Sequence, residues 1–232
     1  MLGFQVHTCE RPPMTDMVEK FRSVPVANIS DVMSRMTAGG ARLRPMHDGT
    51  PLVGLAVTVK TRPGDNLMIH RAIDIAAPGD VIIVDGGGEL TNSLIGELMT
   101  SYAESRGVAG FVVDGAIRDA TELRAGSLPI YAAGVTHRGP FKDGPGEINC
   151  AIAVDGMVVH PGDIIVGDGD GVLCIPAGLA EEIYAAASEK CAQEERTRLA
   201  ISEQRLNRAW VLETLKARGC ILPGGEDQSA TG

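Results

Sequence analysis

The sequence predicts an α/β protein, and three observations support that prediction. Residues 80–85 and 110–114 are rich in β-branched side chains, which is typical of buried strands. Apolar residues at helical spacing lie between these two segments, so they predict a strand–helix–strand unit with parallel strands and a right-handed crossover. Residues 179–218 contain neither glycine nor proline and therefore predict helix.

The composition argues against several classes of protein. The chain has 232 residues, a formal net charge of −9 and only 3% aromatic residues, which makes it a poor binder of nucleic acid. No apolar run reaches the roughly 18–20 residues that a membrane span needs. The five cysteines are widely spaced and form no CxxC pair, so we expect reduced thiols. We expect a cytoplasmic protein with no nucleic-acid partner, one domain over residues 1–222, and a disordered tail over residues 223–232.

The N-terminal part predicts helices followed by a strand. Residues 14–38 carry apolar side chains at helical spacing, and Ser30 is placed to cap a helix over residues 31–36 that Gly39 and Gly40 end. Residues 52–61 are rich in β-branched side chains and predict a strand.

The central unit begins with the strand at residues 80–85, which the glycines at 86–88 are expected to end. The helix that follows is predicted from about residue 94 to residue 106, with Glu97 on its polar face and Gly107 after its end. Its apolar face is expected to hold the residues at helical spacing: Leu94, Ile95, Leu98, Met99 and Tyr102.

The C-terminal part predicts short strands and then a long helical segment. Residues 129–133 predict a strand, residues 137–149 a glycine- and proline-rich loop, and Asp-Gly turns in residues 151–175 predict hairpins. A single helix over residues 179–218 would be about 60 Å long at ~1.5 Å per residue, so it must break or extend onto a neighbouring subunit. Its charged middle, residues 193–198, is either a solvated face or the source of a carboxylate for the adjacent protomer's site.

Several candidate functional residues lie on the central unit. A helix that starts near residues 96–99 suits an anion at its N-terminus, and Arg118 follows a strand at the edge where parallel sheets bind ligands. Glu97 and Asp119 are two carboxylates that suit a hard cation such as Mg²⁺ or Mn²⁺. A plain turn, a surface ion pair and a dipole-stabilising carboxylate are the alternative interpretations of these features.

Other motifs give little support for a different chemistry. The sequence contains no zinc-binding HExxH, no nucleotide-binding GxGxxG or GxxxxGK[ST], and no GxSxG nucleophile elbow. Four isolated histidines are interpreted as structural: His47, His70, His137 and His160. Residues 168–171 lack the remaining ligands of a calcium loop and are interpreted as a hairpin turn.

Residues 85–119 resemble the core of the RraA-like family. That family includes the 4-hydroxy-4-methyl-2-oxoglutarate / 4-carboxy-4-hydroxy-2-oxoadipate aldolases and the regulator of ribonuclease E activity A. An acidic residue, twenty intervening residues and then Arg-Asp mark the aldolases, and Glu97 followed by Arg118 and Asp119 has this spacing. Residues 29–32 and 161–172 extend the resemblance, which covers about residues 20–200.

The resemblance implies a layered α/β sandwich, similar to swivelling phosphohistidine domains, that assembles as a homotrimer or hexamer. The residues that it implies for binding the pyruvyl carboxylate are Gly96, Glu97, Leu98, Met99 and Arg118. Asp119 would bind Mg²⁺ or Mn²⁺ directly, and Glu97 would act through a water on the metal. A glutamate of a neighbouring subunit's C-terminal helix would complete the site, and Glu194 is favoured over Glu195. The family's best-studied aldolases have Asp where this chain has Glu97.

The implied activity is metal-dependent retro-aldol cleavage of a 4-hydroxy-2-oxo acid, which releases pyruvate. Oxaloacetate decarboxylation passes through the same enolate and is the expected side activity. No lysine is expected near Glu97, Arg118 and Asp119, which argues against a Schiff-base aldolase. The alternatives are a non-catalytic regulator of the ribonuclease E type and a metabolite-binding protein of the same fold.

Overall fold

A computed structural model describes residues 3–10 and 16–223. The chain forms two compact units that are divided in the sequence between Ser188 and Glu189. The first unit contains the sheet and all of the short helices that pack on it. The expectation of one domain over residues 1–222 stays a prediction, and the expected tail lies outside the described residues apart from Pro223.

Eleven strands lie within the described residues. They are β1 (Phe4–Val6), β2 (Arg44–Pro45), β3 (Leu52–Thr61), β4 (Asp80–Ile95), β5 (Gly110–Ile117), β6 (Ile130–Val135), β7 (Gly146–Ile148), β8 (Ile152–Val154), β9 (Met157–Val159), β10 (Ile164–Gly167) and β11 (Val172–Ile175).

The described residues also form seven α-helices. They are α1 (Asp16–Lys20), α2 (Val26–Val32), α3 (Leu67–Ile75), α4 (Glu97–Ser105), α5 (Ala120–Ala125), α6 (Ala180–Ser202) and α7 (Ala209–Ala217).

The strands β3, β4, β5 and β6 pair in parallel and form the centre of the main sheet. Strand β10 extends this sheet from the other side of β3 and forms an antiparallel hairpin with β11. Strands β8 and β9 form a separate hairpin. The predicted parallel strand–helix–strand unit and the hairpins after residue 150 are therefore confirmed.

Both faces of the central sheet are buried, as a continuous β-branched sequence requires. Ile82 and Val84 of β4 point into the core that contains α3, whereas Val81 and Ile83 point into the core that contains the β8–β9 hairpin. A third core lies between α1, α2, the β10–β11 hairpin and the start of α6. The α/β class and the long C-terminal helix are confirmed.

Strand β4 does not end at the three glycines, so that prediction is wrong. Gly87 and Gly88 both have φ near +68°, a conformation that glycine adopts without steric cost. The register between β4 and β5 shifts between Asp85 and Glu89 and again between Glu89 and Ser93. The glycines therefore belong to bulges that bend β4 and allow it to continue to Ile95.

The predicted start and apolar face of the following helix are also wrong. Leu94 and Ile95 are buried in β4, and α4 begins at Glu97. The residues that α4 buries are the small Thr100 and Ala103, which let the helix pack closely on its neighbours. Leu98 is instead 77% exposed.

Two further helix predictions need correction. Ser30 lies inside α2, which starts after Pro25, and the N–H of Val26 donates to Asp168 Oδ2 at 2.9 Å. The helix ends early because Ser34 and Arg35 adopt positive φ angles.

The long C-terminal segment breaks into α6 and α7 at residues 203–208, as its length required. Packing of this segment on a neighbouring subunit stays a prediction. Within the part of the chain that the structure describes, no helix has both the length and the hydropathy to cross a membrane.

Candidate active site

A cleft lies where β4 ends and α4 begins, beside the end of β5. The carboxyl ends of parallel strands are the usual ligand-binding edge of such a sheet. The cleft has a volume of about 190 Å³. It is lined by Asn66, His70, Ser93, Leu94, Ile95, Gly96, Leu98, Met99, Arg118, Pro140 and Lys142.

Gly96 is the residue before the first turn of α4, and its lack of a side chain brings two other residues close. A Cβ atom at Gly96 would lie 2.4 Å from Asp119 Oδ2 and 2.9 Å from Arg118 Cγ. Backbone conformation does not require glycine here, because φ is −155°. Space requires it, since Arg118 and Asp119 pack directly against the helix start.

The side chain of Asp119 joins the end of β5 to the start of α4. Its Oδ2 atom accepts a hydrogen bond from the N–H of Glu97 at 2.9 Å and lies 3.7 Å from Arg118 Nε. Asp119 also has φ of +56°, which is uncommon for a residue other than glycine. Backbone conformations of this kind concentrate at functional sites, where the surrounding contacts maintain them.

Arg118 is held by its backbone and leaves its side chain in the cleft. Its N–H donates to the carbonyl of Ile95 at 3.0 Å, so the last residue of β4 fixes its position. The side chain is 44% exposed, and Gly139 lies beside it. Arg118 is therefore available to an anionic ligand while its main chain is fixed.

Glu97 lies in the first turn of α4, as predicted. Its side chain and that of Arg118 line different clefts. Its N–H binds Asp119, whereas its Oε1 atom accepts a hydrogen bond from Ser101 Oγ at 3.0 Å. The side chain lines an adjoining cleft together with Glu104 and Glu122. The structure thus brings Gly96, Leu98, Met99 and Arg118 into one cleft and places Asp119 at its edge. The Glu97 carboxylate lies in the adjoining cleft.

Sequence reasoning did not place Asn66, His70 or Lys142 in this cleft. Asn66 is buried, and its Nδ2 atom donates to the Leu94 carbonyl at 2.9 Å and contacts Met99 Sδ at 3.2 Å. It thereby fixes the backbone just before Gly96. No sequence spacing links Asn66 to residues 94–99, so only the fold reveals this contact.

His70 lies on α3, and its side chain lines the cleft. Burial lowers the pKa of its imidazole, the nearby charge of Lys142 lowers it further, and Asp74 partly opposes this shift. His70 is therefore held in its neutral form to lower pH than an ordinary histidine. The sequence interpretation of His70 as a structural residue did not anticipate its place in the cleft.

The donors beside the cleft fit a hard cation only in part. Asp119 and Glu97 supply carboxylate oxygens, which are the ligands that Mg²⁺ and Mn²⁺ prefer, and such ions retain several waters. Among the described residues, no group of three or more histidine, cysteine, aspartate or glutamate side chains could hold a metal. The described residues of this chain thus supply carboxylate ligands of the right type for such an ion, but not a complete set of ligands.

Glu194, the expected third carboxylate, lies on α6 in the second compact unit. Its side chain lies 3.9 Å from Lys190 and 3.6 Å from Arg198, both on the same helix. Glu195 is paired with Arg198 at 2.9 Å and is more exposed. The assignment of Glu194 to a neighbouring subunit's site stays a prediction.

Comparison with known proteins gives consistent matches. The family described as RraA-like (Aldolase/RraA) matches residues 26–174. A protein of Halalkalibacterium halodurans named "Putative 4-hydroxy-4-methyl-2-oxoglutarate aldolase" is 40% identical over 188 residues, which cover 81% of this chain and 90% of that protein. A Thermus thermophilus protein named "4-hydroxy-4-methyl-2-oxoglutarate aldolase" is 37% identical over 112 residues, covering 48% of this chain and 68% of its own.

A solved structure shows the same fold. The crystal structure of Streptomyces coelicolor RraAS2, described as an unusual member of the RNase ES inhibitor RraA protein family, superposes with a TM-score of 0.75. It is 27% identical in sequence, and the match covers 82% of this chain and 99% of that one.

The close packing at Gly96 can be tested by adding one methyl group. We expect Gly96→Ala to lower the free energy of unfolding by about 1–3 kcal/mol, because overpacking displaces Arg118 and Asp119. Gly178→Ala is the matched control, since a Cβ at Gly178 meets nothing within 4 Å. Urea denaturation of both variants measures the effect, and equal stability of the two would contradict this description of the helix start.

Proposed function

The chain belongs to the RraA-like family, and on that premise we propose that it is an aldolase that cleaves a 4-hydroxy-2-oxo acid and releases pyruvate. The observation that carries this proposal is the shared cleft of Arg118 and the first turn of α4, held together by Asp119. The relatives from Halalkalibacterium halodurans and Thermus thermophilus carry aldolase names, which supports the same reaction. 4-Hydroxy-4-methyl-2-oxoglutarate and 4-carboxy-4-hydroxy-2-oxoadipate are the proposed substrates.

The first task of such a site is to hold the substrate carboxylate. The N–H of Glu97 is bonded to Asp119, and that of Met99 is bonded to the Gly96 carbonyl. Leu98 is therefore our candidate for the first-turn N–H that binds the substrate. Arg118 can add two parallel hydrogen bonds to the same planar group, which orients the bond to be broken.

The second task is to stabilise the pyruvate enolate as the carbon–carbon bond breaks. The guanidinium group of Arg118 lies in the cleft, so it favours the negative charge that develops there. A bound Mg²⁺ or Mn²⁺ would act as a Lewis acid toward the 2-oxo group. Asp119 would hold that ion, with Glu97 and a partner subunit's Glu194 as the proposed further carboxylates.

The third task is to remove the proton of the 4-hydroxyl group. Glu97 is our candidate, because its Oε1 atom is bonded to Ser101 and its Oε2 atom can accept a proton directly or through water. Its side chain lines the adjoining cleft, so a water is our candidate carrier of the proton between the two clefts.

The expectation that no lysine lies near this site is wrong. Lys142 lines the cleft, because the loop after β6 folds back toward α3. Lysines that form Schiff bases are usually desolvated, whereas Lys142 is exposed. We therefore retain the metal-dependent mechanism, and borohydride treatment in the presence of pyruvate should leave the protein mass unchanged.

A second candidate function is regulation of a ribonuclease without catalysis. The fold shared with RraAS2 from Streptomyces coelicolor favours it. A regulator would form no pyruvate from any of these substrates, so one assay separates the two functions. The same assay would include oxaloacetate as a further test compound, because its decarboxylation gives the same enolate.

Replacement of Arg118 tests the proposed function. We expect Arg118→Ala to lower kcat/KM for pyruvate release by at least about 100-fold, since a charged group that stabilises the developing enolate is lost. The fold should persist because the side chain is 44% exposed. Arg124→Ala on α5 is the control for loss of an exposed arginine. The aldolase proposal fails if wild-type protein forms no pyruvate with Mg²⁺ or Mn²⁺.

Replacement of Asp119 tests its proposed metal role. An asparagine keeps an oxygen that can accept the Glu97 N–H, so Asp119→Asn should retain the fold while losing the charge that attracts a cation. We expect the Mg²⁺ concentration for half-maximal activity to rise at least about tenfold, and a chelator should abolish wild-type activity. Glu122→Gln is the control. An unchanged Mg²⁺ titration would remove Asp119 from the proposed metal site.

A further inference from the structure

A buried carboxylate fixes the loop that carries Lys142. Asp65 is completely buried, and its Oδ2 atom accepts hydrogen bonds from the N–H groups of Asp143 at 2.7 Å and Gly144 at 2.9 Å. The same oxygen accepts a bond from Arg62 Nη2 at 3.1 Å, and Oδ1 accepts one from the Leu67 N–H at 2.9 Å. A buried charge needs this many donors, so the loop and the start of α3 are fixed together.

Backbone contacts on either side of Lys142 strengthen the attachment. The N–H of Phe141 donates to the carbonyl of Gly64 at 2.8 Å, and the N–H of Asn66 donates to the carbonyl of Phe141 at 3.0 Å. The guanidinium of Arg62 also lies 5.5 Å from the centre of the Phe141 ring. The loop is thus held in place before and after Lys142.

The loop that carries Lys142 passes beside Arg118 and contributes to the same cleft. A Cβ at Gly139 would lie 3.5 Å from Arg118 Nη1, so the loop starts beside Arg118. Lys142 is three residues further along, a distance of up to about 10 Å. There it is close enough to His70 for its charge to lower the pKa of the imidazole. The cleft therefore has two cationic side chains supplied by different elements.

The charge of the cleft contrasts with that of the chain. The formal net charge of the protein is −9, yet no described aspartate or glutamate lines this cleft. Lys142 forms no ion pair with any of the described residues. Arg118 and the first turn of α4 together can bind one substrate carboxylate. The charge of Lys142 is therefore available to a second anionic group.

We propose that Lys142 is a specificity-determining residue that recognises a second carboxylate on the substrate, within the cleft that it shares with Arg118. This inference rests on the proposed aldolase function. It places the preferred substrates among 4-hydroxy-2-oxo dicarboxylic acids and leaves the bond-breaking chemistry to Arg118 and Asp119. The loop after β6 thus selects the substrate.

The test compares two substrates that differ in the second carboxylate. Pyruvate release is measured with 4-hydroxy-4-methyl-2-oxoglutarate, a dicarboxylate, and with 4-hydroxy-2-oxopentanoate, a monocarboxylate. Lys142→Met should lower kcat/KM for the dicarboxylate at least tenfold more than for the monocarboxylate, mainly through KM. Lys142→Arg should restore most of the dicarboxylate preference because it keeps the charge. Lys20→Met is the control for loss of an exposed lysine on α1.

The outcomes separate this inference from the proposed function. Active wild-type protein with equal losses on both substrates in Lys142→Met would overturn the specificity role, as would no loss on either. An equal loss together with borohydride trapping of pyruvate would identify Lys142 as a Schiff-base lysine instead. Absence of pyruvate from wild-type protein with every substrate would refute the aldolase function and this inference with it.

Discussion

The hydrogen bond from the Glu97 N–H to Asp119 Oδ2 is the interaction on which the candidate site depends. It joins the first turn of α4 to the end of β5, two segments separated by more than twenty residues of sequence. A carboxylate at a helix N-terminus satisfies an unpaired donor and interacts favourably with the helix dipole. Because Gly96 has no side chain, Asp119 and Arg118 can pack directly against the start of the helix, with Arg118 in the cleft.

Asp65 has an equivalent role at the loop after β6. Its buried carboxylate fixes the loop after β6 to α3, as Asp119 fixes α4 to β5. In both places a short acidic side chain accepts backbone N–H groups of a different segment. This arrangement supplies order where a glycine-rich sequence would otherwise leave several conformations open. The cleft is therefore shaped by hydrogen bonds between segments, whereas the cores beneath it are shaped by apolar packing.

The sequence predicted the features that depend on local pattern. The β-branched residues of β3 and β5 are enough to identify strands, and Arg118 and Asp119 follow β5 as expected. The extension of β4 through Gly87 and Gly88 could not be predicted, because bulges depend on pairing with β5. Leu98 and Tyr102 have helical spacing, but both are exposed, since small residues face the protein interior. Asn66 and Lys142 reach the cleft from distant segments, so no spacing rule identifies them.

The central claim is that the start of α4 and Arg118 form one binding site for a 2-oxo acid. A crystal structure of the protein with pyruvate and Mg²⁺ tests it most directly. The account predicts the pyruvate carboxylate within hydrogen-bond distance of a first-turn N–H of α4 and of the Arg118 guanidinium, with the ion at Asp119. Pyruvate bound in another cleft, or an ion bound away from Asp119, would contradict it.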